Sequence, residues 1–417
     1  MKNIIPLSDR ALSFLALAAG NNGNANSGDL AIINGHLDPP NLKAAIDLIA
    51  VRHPILKSKI VRKSFNYFWQ YDESIRPELI TLDWSHKFDS EDSWHNATRN
   101  LISQDAIDPF SGSPAKLYYI KFNHKSALLF VSAHCASDAR SGYIILDEIN
   151  QFLCGSLGEY TDNSFLEDKH NFSKPKFKDW LVTLFDLGRS LLSRKKTAVL
   201  PDTSSNYIEY INLGKPALNS LIKYAKEHGL TVNGALNQAL SKALGSKNQH
   251  IIFETLSVRP HAKNDLDGAY NNLIIPFSSV IGGKNNWIAD YSCHLANITK
   301  NNIHSLVALQ KLQGYLVRLF PKKKLKLLSR LYQSLFLKGN VLLSNLGKLD
   351  FDLQTIAHKE VEAVYNYSVP LPPAGLAIVA SSLNNEFRYT LAYRGKPGSI
   401  EHFKSEFKHH ILELGKI

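Results

Sequence analysis

Along the chain, apolar and polar positions switch between a period near two and a period near 3.6, the pattern of a mixed α and β protein. Residues 28 to 37, Gly-Asp-Leu-Ala-Ile-Ile-Asn-Gly-His-Leu, predict a strand that Asp38-Pro39-Pro40 closes. Leu42, Ala45, Ile46, Leu48 and Ile49 then recur at helical spacing. That helix is expected to end near Arg52, because Pro54 disfavours helical geometry in the residue before it. Lys116 to Phe122 and Ala127 to Ala133, parted by a polar turn at Asn123 to Ser126, predict a hairpin whose second strand is apolar enough to be central. Ser141 and Gly142 follow, and Tyr143 to Ile149 predicts a helix packing back on the sheet.

A polar stretch from Glu159 to Pro175 and a basic one from Arg194 to Pro201 bracket a helix-like segment with Trp180, Leu181, Leu184, Phe185 and Leu192. The boundary between an N-terminal lobe, 1–190, and a C-terminal lobe, 191–417, is expected here. Pro216 to His228 reads as a helix stopped by Gly229, and Thr231 as the cap of another that runs through Leu240. Strands are expected at Ile251 to Val258, Val341 to Ser344, Val361 to Val369, Leu376 to Leu383, and Phe387 to Arg394, where the alternation is cleanest. No fixed-period repeat points to a solenoid or propeller.

With 417 residues, 44% of them apolar and 20% charged, the chain can bury a sizeable core and is long for one domain, so two lobes of about 200 residues are the natural expectation. Cys135, Cys154 and Cys293 are far apart and odd in number, which argues against a disulfide framework or a zinc cluster. Met1 to Arg10 lacks the apolar core of a signal peptide, and no apolar run approaches the roughly 20 residues that span a bilayer. A soluble protein of the reducing cytoplasm is expected. A net charge of +11 favours acidic partners without choosing among them.

The segment Ala133-His134-Cys135-Ala136-Ser137-Asp138 sets a histidine and an aspartate four apart, after a central strand and before a helix. Two readings are open. His134 is either a packed core histidine with Asp138 as a helix cap, or a general base whose neutral ring takes a proton at physiological pH. A second match, His261 to Asp265, stands in a polar loop with no strand before it. Cys135 as a nucleophile is disfavoured, since adjacent residues of an extended segment point to opposite sides. Zinc binding lacks a third ligand at convincing spacing.

The order of strand, His134, Asp138 and helix, a third of the way along, resembles the HHxxxDG motif of the histidine-dependent acyltransferase superfamily. That superfamily includes chloramphenicol acetyltransferase, nonribosomal peptide condensation domains and polyketide-associated and alcohol acyltransferases. Arg52-His53-Pro54-Ile55-Leu56 is similar to the family's RHPxL element, and Asp108-Pro109-Phe110 through Pro114 to the segment before its motif strand. Gly229 to Asn233, Ser257 to Pro260 and Ser344-Asn345-Leu346-Gly347 match later elements in the family's order, so the resemblance covers nearly the whole chain.

The resemblance implies an α+β fold of two chloramphenicol-acetyltransferase-like lobes, each a mixed sheet with helices, around a central tunnel, with a crossover segment near 340–372. It implies that His134 deprotonates or orients a hydroxyl or amine acceptor that attacks a phosphopantetheine thioester, carried by an acyl carrier protein or coenzyme A, with no permanently bound cofactor or metal. It assigns Asp138 a structural pairing with Arg259. It places Ser344 to Gly347 on the strand that crosses between lobes, where Asn345 either orients the thioester or serves as a turn residue beside Gly347. Two residues depart from the motif: Ala133 replaces its first histidine, and Ala139 its final glycine, adding a methyl where the donor approaches. These departures motivate the rival reading of a catalytically silent protein that scaffolds a carrier or ligand.

Pro321 to Tyr332 is both basic and apolar, with Leu325, Leu328 and Leu331 near one helical face. It reads as a solvated face over a core stripe, or as a surface for anionic membrane or an acidic carrier protein. Nothing resembles a nucleic-acid-binding module.

Overall fold

The computed structural model describes residues 4–159, 175–192 and 206–414, apart from 89, 263–264, 284–285, 300–302, 337–338, 340, 372–373 and 397. The expected basic stretch from Arg194 to Pro201 and most of the polar stretch before Pro175 fall outside the described residues.

Two six-stranded sheets organise the chain. The first has the order β12 (Thr355–Ile356), β13 (Lys359–Ser368), β2 (Asn26–Asn34), β7 (Lys125–Ala133), β6 (Ala115–Phe122), β5 (Glu78–Asp83). β6 and β7 form the expected hairpin, and Asn123 at its turn takes φ 49°, a left-handed conformation that asparagine tolerates. β7 lies between β6 and β2 and is buried along nearly its whole length, which explains its unbroken apolar run. Against this sheet pack α2 (Pro39–Arg52), capped by Asp38, and α4 (Ala139–Leu153).

The second sheet has the order β10 (Ile274–Ile281), β9 (His250–Ser257), β11 (Val341–Leu349), β14 (Leu376–Leu383), β15 (Glu386–Arg394), β8 (Asn206–Leu213). Its core is shared with α6 (Gly214–Glu227), α7 (Val232–Ala243) and α11 (Glu401–Glu413). Thr231 caps α7 as expected, its side chain accepting from Gly234 N at 3.1 Å.

One strand changes sides. β13 comes late in the chain yet pairs antiparallel with β2 in the first sheet, Ser368 opposite Ser27 and Val364 opposite Ala31. This corrects one expectation. Ser344 to Gly347 do not lie on the strand that crosses; they lie on β11, which runs parallel between β9 and β14 in the second sheet. Buried Val341 and Leu343 commit β11 to that core, and after a bulge at Asn345 to Lys348, where Gly347 takes a positive φ, the strand resumes its pairing with β14 at Lys348 and Leu349.

A third, smaller layer was not expected: β1 (Ile4–Pro6), β4 (Asn66–Tyr71) and β3 (Ser58–Lys63) form a three-stranded sheet. Beside it, α1 (Asp9–Gly20) packs against α9 (Ile303–Leu319) and α10 (Leu325–Phe336), and α5 (Phe177–Leu192) lies on those two helices. Leu325 and Leu328 are buried in the first core, so this face of the basic segment is a core stripe. Two further helices among the described residues are α3 (Glu91–Gln104) and α8 (Trp287–Asn297).

Candidate active site

β7 ends at Ala133, and the chain turns at once: His134 N donates to Ala25 O and Ala136 N to Ala133 O, both at 2.8 Å. The turn sets the His134 ring against Phe14 of α1, with centroids 4.2 Å apart. Nδ1 of His134 lies 2.7 Å from Ser137 O. A carbonyl can only accept, so Nδ1 carries the proton and Nε2 keeps its lone pair, the tautomer a general base requires. Burial pushes the ring's pKa below its ordinary value, opposed by the bond to Ser137 O and by the charge of Asp138. The ring is therefore neutral at physiological pH.

Asp138 serves both open readings at once. It is the N-cap of α4, accepting from Ser141 N at 3.0 Å and Ser141 Oγ at 2.8 Å. It also pairs with Arg259, whose Nη2 lies 2.9 Å from Oδ1 and 3.0 Å from Oδ2, both side chains being buried. Leu273 N donates to Oδ2 at 3.0 Å. Arg259 in turn holds the carbonyls of Leu266 and Ala269. The pair ties the loop before β10 to the loop that carries His134.

Three cavities share His134 as a wall. One of about 250 Å³ runs between the sheets and is lined by Ser27, Ala139, Thr255, Ser344, Asn345 and Asn366, among others. A second, of about 120 Å³, is lined by Leu15, Ala18, Phe110, Ala133, Lys322 and Leu325, among others. A third, of about 60 Å³, is walled almost wholly by apolar groups, Phe14, Leu17, Phe253, Pro276, Leu342 and Leu371 among them.

The structure thus brings His134, Asp138, Arg259, Ala139, Ser344 and Asn345 around one cavity. Asn345 Oδ1 accepts from Gly347 N at 3.0 Å, so the residue shapes the bulge while also lining the cavity, and its amide N–H groups are left as the donors. Ser344 Oγ hydrogen-bonds Thr255 Oγ1 at 2.8 Å. Cys135 is buried, and burial pushes its thiol up to about 12, which removes the thiolate that nucleophilic use would need. His261 and Asp265 are exposed and line none of the three cavities.

Sequence reasoning missed Asn272. Its Nδ2 donates to His134 O at 2.5 Å, and its own carbonyl accepts from Arg10 Nε at 3.2 Å. Ser27, Thr255 and Ser368 were missed too. They are scattered serines and threonines on three strands: register sets Ser27 opposite both Ser132 and Ser368, and Thr255 of β9 joins them only where the second sheet faces the first across the cavity.

No family model and no curated protein matches the chain by sequence. Its fold, in contrast, matches solved structures over nearly its whole length. The trichothecene 15-O-acetyltransferase of Fusarium sporotrichioides superposes with a TM-score of 0.70 at 10% identity, covering 99% of this chain and 96% of that one. The epimerization domain from the third module of tyrocidine synthetase B gives 0.68 at 16% identity, with 99% and 96% covered. The starter condensation domain of rhizomide synthetase, solved with C8-CoA and Leu-SNAC, gives 0.66 at 12% identity, with 100% and 95% covered. The chain thus shares the fold of these solved epimerization, condensation and acetyltransferase structures.

Proposed function

We propose that the protein transfers an acyl group from a phosphopantetheine thioester, borne by an acyl carrier protein or coenzyme A, to a hydroxyl or amine acceptor. The observation that carries this reading is a buried histidine, fixed in its base-competent tautomer, where three cavities meet. Nε2 of His134 takes the proton of the acceptor O–H or N–H as that atom attacks the thioester carbon. The tetrahedral intermediate collapses and expels the thiolate, which recovers the proton from Nε2, leaving an ester or amide and a free thiol. Asn345 Nδ2 is the donor we assign to the developing oxyanion, while Asp138, Arg259 and Asn272 hold the loop. The rhizomide neighbour, solved with a coenzyme A thioester, supports a donor of that class.

The test is intact-mass detection of acyl transfer from loaded carrier proteins and coenzyme A esters to a panel of alcohols and amines. His134→Ala should lower turnover by about 100- to 10,000-fold with folding retained. A His134→Ala protein as active as wild type overturns the mechanism. Tight donor binding with no acceptor-dependent loss of acyl group would favour the silent reading that Ala133 and Ala139 motivate. In that case, turnover restored by Ala139→Gly would point to the extra methyl as the obstruction.

A further inference from the structure

The net charge of +11 is concentrated in one part of the chain. Between Asp290 and Asp350 there are ten lysines and arginines and no aspartate or glutamate. α9 and α10 occupy about half of that stretch, and Lys322, Lys323, Lys324 and Lys326, at their junction, are exposed. The turn between β3 and β4 meets the same place: Arg318 Nε donates to Asn66 Oδ1 at 3.0 Å, and Tyr67 Oη donates to Phe320 O at 2.7 Å.

Large apolar side chains stand out among these charges. Phe65 at the tip of the turn is 74% exposed, Tyr315 and Leu319 on α9 are 59% and 49% exposed, and Leu327 on α10 is 57% exposed. On α5, packed against both helices, Phe177, Leu181 and Leu184 are exposed at spacings that form one helical stripe. An aromatic turn tip and leucines projecting between lysines suit insertion among lipid headgroups, with the lysines meeting the phosphates. The second cavity adjoins this surface, because Lys322 lines it with its Nζ 4.1 Å from the Phe110 ring centre and 3.1 Å from Asp108 Oδ2.

We infer that the α9–α10 junction and the tip of the β3–β4 turn form a docking surface for an anionic phospholipid membrane, facing the cavity that leads to His134. Lysines meet the lipid phosphates, Phe65 and Leu319 enter the interface, and a lipid-borne substrate has a short path past Phe110. That last step rests on the acyl-transfer reading; the docking surface does not.

Vesicle co-sedimentation of the full chain at physiological ionic strength tests it, comparing pure phosphatidylcholine with phosphatidylcholine containing phosphatidylglycerol. Binding should require the anionic lipid and weaken as salt rises. Lys323→Ser combined with Lys324→Ser should lower the partition coefficient by about 30-fold, equivalent to about 1 kcal/mol per lysine. Phe65→Ser, at an exposed turn, should remove the binding that survives high salt. Transfer between water-soluble substrates should be unchanged in both variants. Equal binding to both kinds of vesicle, or variants that bind as wild type does, overturns the inference. So does an acyl carrier protein whose affinity falls with the lysine changes while vesicles go unbound, which would make the surface a carrier dock. A docking failure with transfer intact, or the reverse, tells the two proposals apart.

Discussion

The Asp138–Arg259 pair allows a quantitative test of how the His134 loop is held. In Asp138→Ala, Arg259 keeps its bonds to Leu266 and Ala269 but faces a site with no carboxylate, and Ser141 N and Leu273 N lose their acceptor. Breaking a buried ion pair costs about 3 to 5 kcal/mol, and loss of an N-cap about 1 kcal/mol more. In Arg259→Ala, Asp138 still accepts from Ser141 N, Ser141 Oγ and Leu273 N, so the stranded charge is better satisfied. Its cost should therefore lie near the lower end, about 3 kcal/mol. The order is a prediction in itself: Asp138→Ala should be the more damaging change. Urea denaturation followed by both circular dichroism and tryptophan emission would measure each variant, with coincident transitions required before free energies are compared. In the double variant the two residues should couple by about 0.5 to 3 kcal/mol, because the second loss removes a partner already gone. Additivity within about 0.5 kcal/mol, or a larger cost for Arg259→Ala, would refute this account of the loop.

Three further outcomes follow from the geometry. Because burial lowers the His134 pKa below 6.5, the acid limb of the kcat/KM profile should lie below pH 6.5. Activity should fall as pH drops through the folded value, and stability should decline as pH falls from about 6.5 towards that value and then level off, since between the two the unfolded chain binds the proton more readily. Maleimide should label exposed Cys293 in the native protein and leave Cys135 unmodified, and Cys135→Ala should keep most of its turnover, as mass spectrometry and the transfer assay would show. Gly142→Ala should lower the melting temperature, because a Cβ there would sit 1.6 Å from Asp29 Oδ2, and Asp29→Ser in the same chain should recover much of the loss.

The motif strand, the position of His134 and the cap at Thr231 were legible because each rests on local chemistry: an apolar run, a turn, a side chain reaching three residues ahead. Asp138 was legible as a cap from its place before α4, whereas its partner Arg259, 121 positions away, came only from the family resemblance. Asn272 had no such route to notice, since its partners, the backbone carbonyl of His134 and the side chain of Arg10, lie 138 and 262 positions away. β3, β4 and β5 are half-exposed and irregular in polarity, so period-two reasoning passed over them. The strand at Val361 to Val369 was foreseen, but alternation names a strand and not its neighbour. The expected crossover near 340–372 therefore spans both β11, which carries Ser344 to Gly347 and stays in the second sheet, and β13, which crosses.

β13 also sets the order in which the molecule can be made. Asn366 meets Asp29 across 337 positions of chain, so the flank of β2 that β13 covers stays open until nearly the whole protein has left the ribosome. At roughly 5 to 20 residues per second, that is about 17 to 70 s with the backbone of a buried, apolar strand unpaired. A fragment ending before Lys359 lacks the strand that covers this edge and should aggregate more readily than the full chain. Adding the missing strand as a separate peptide would then be the natural way to make such a fragment soluble.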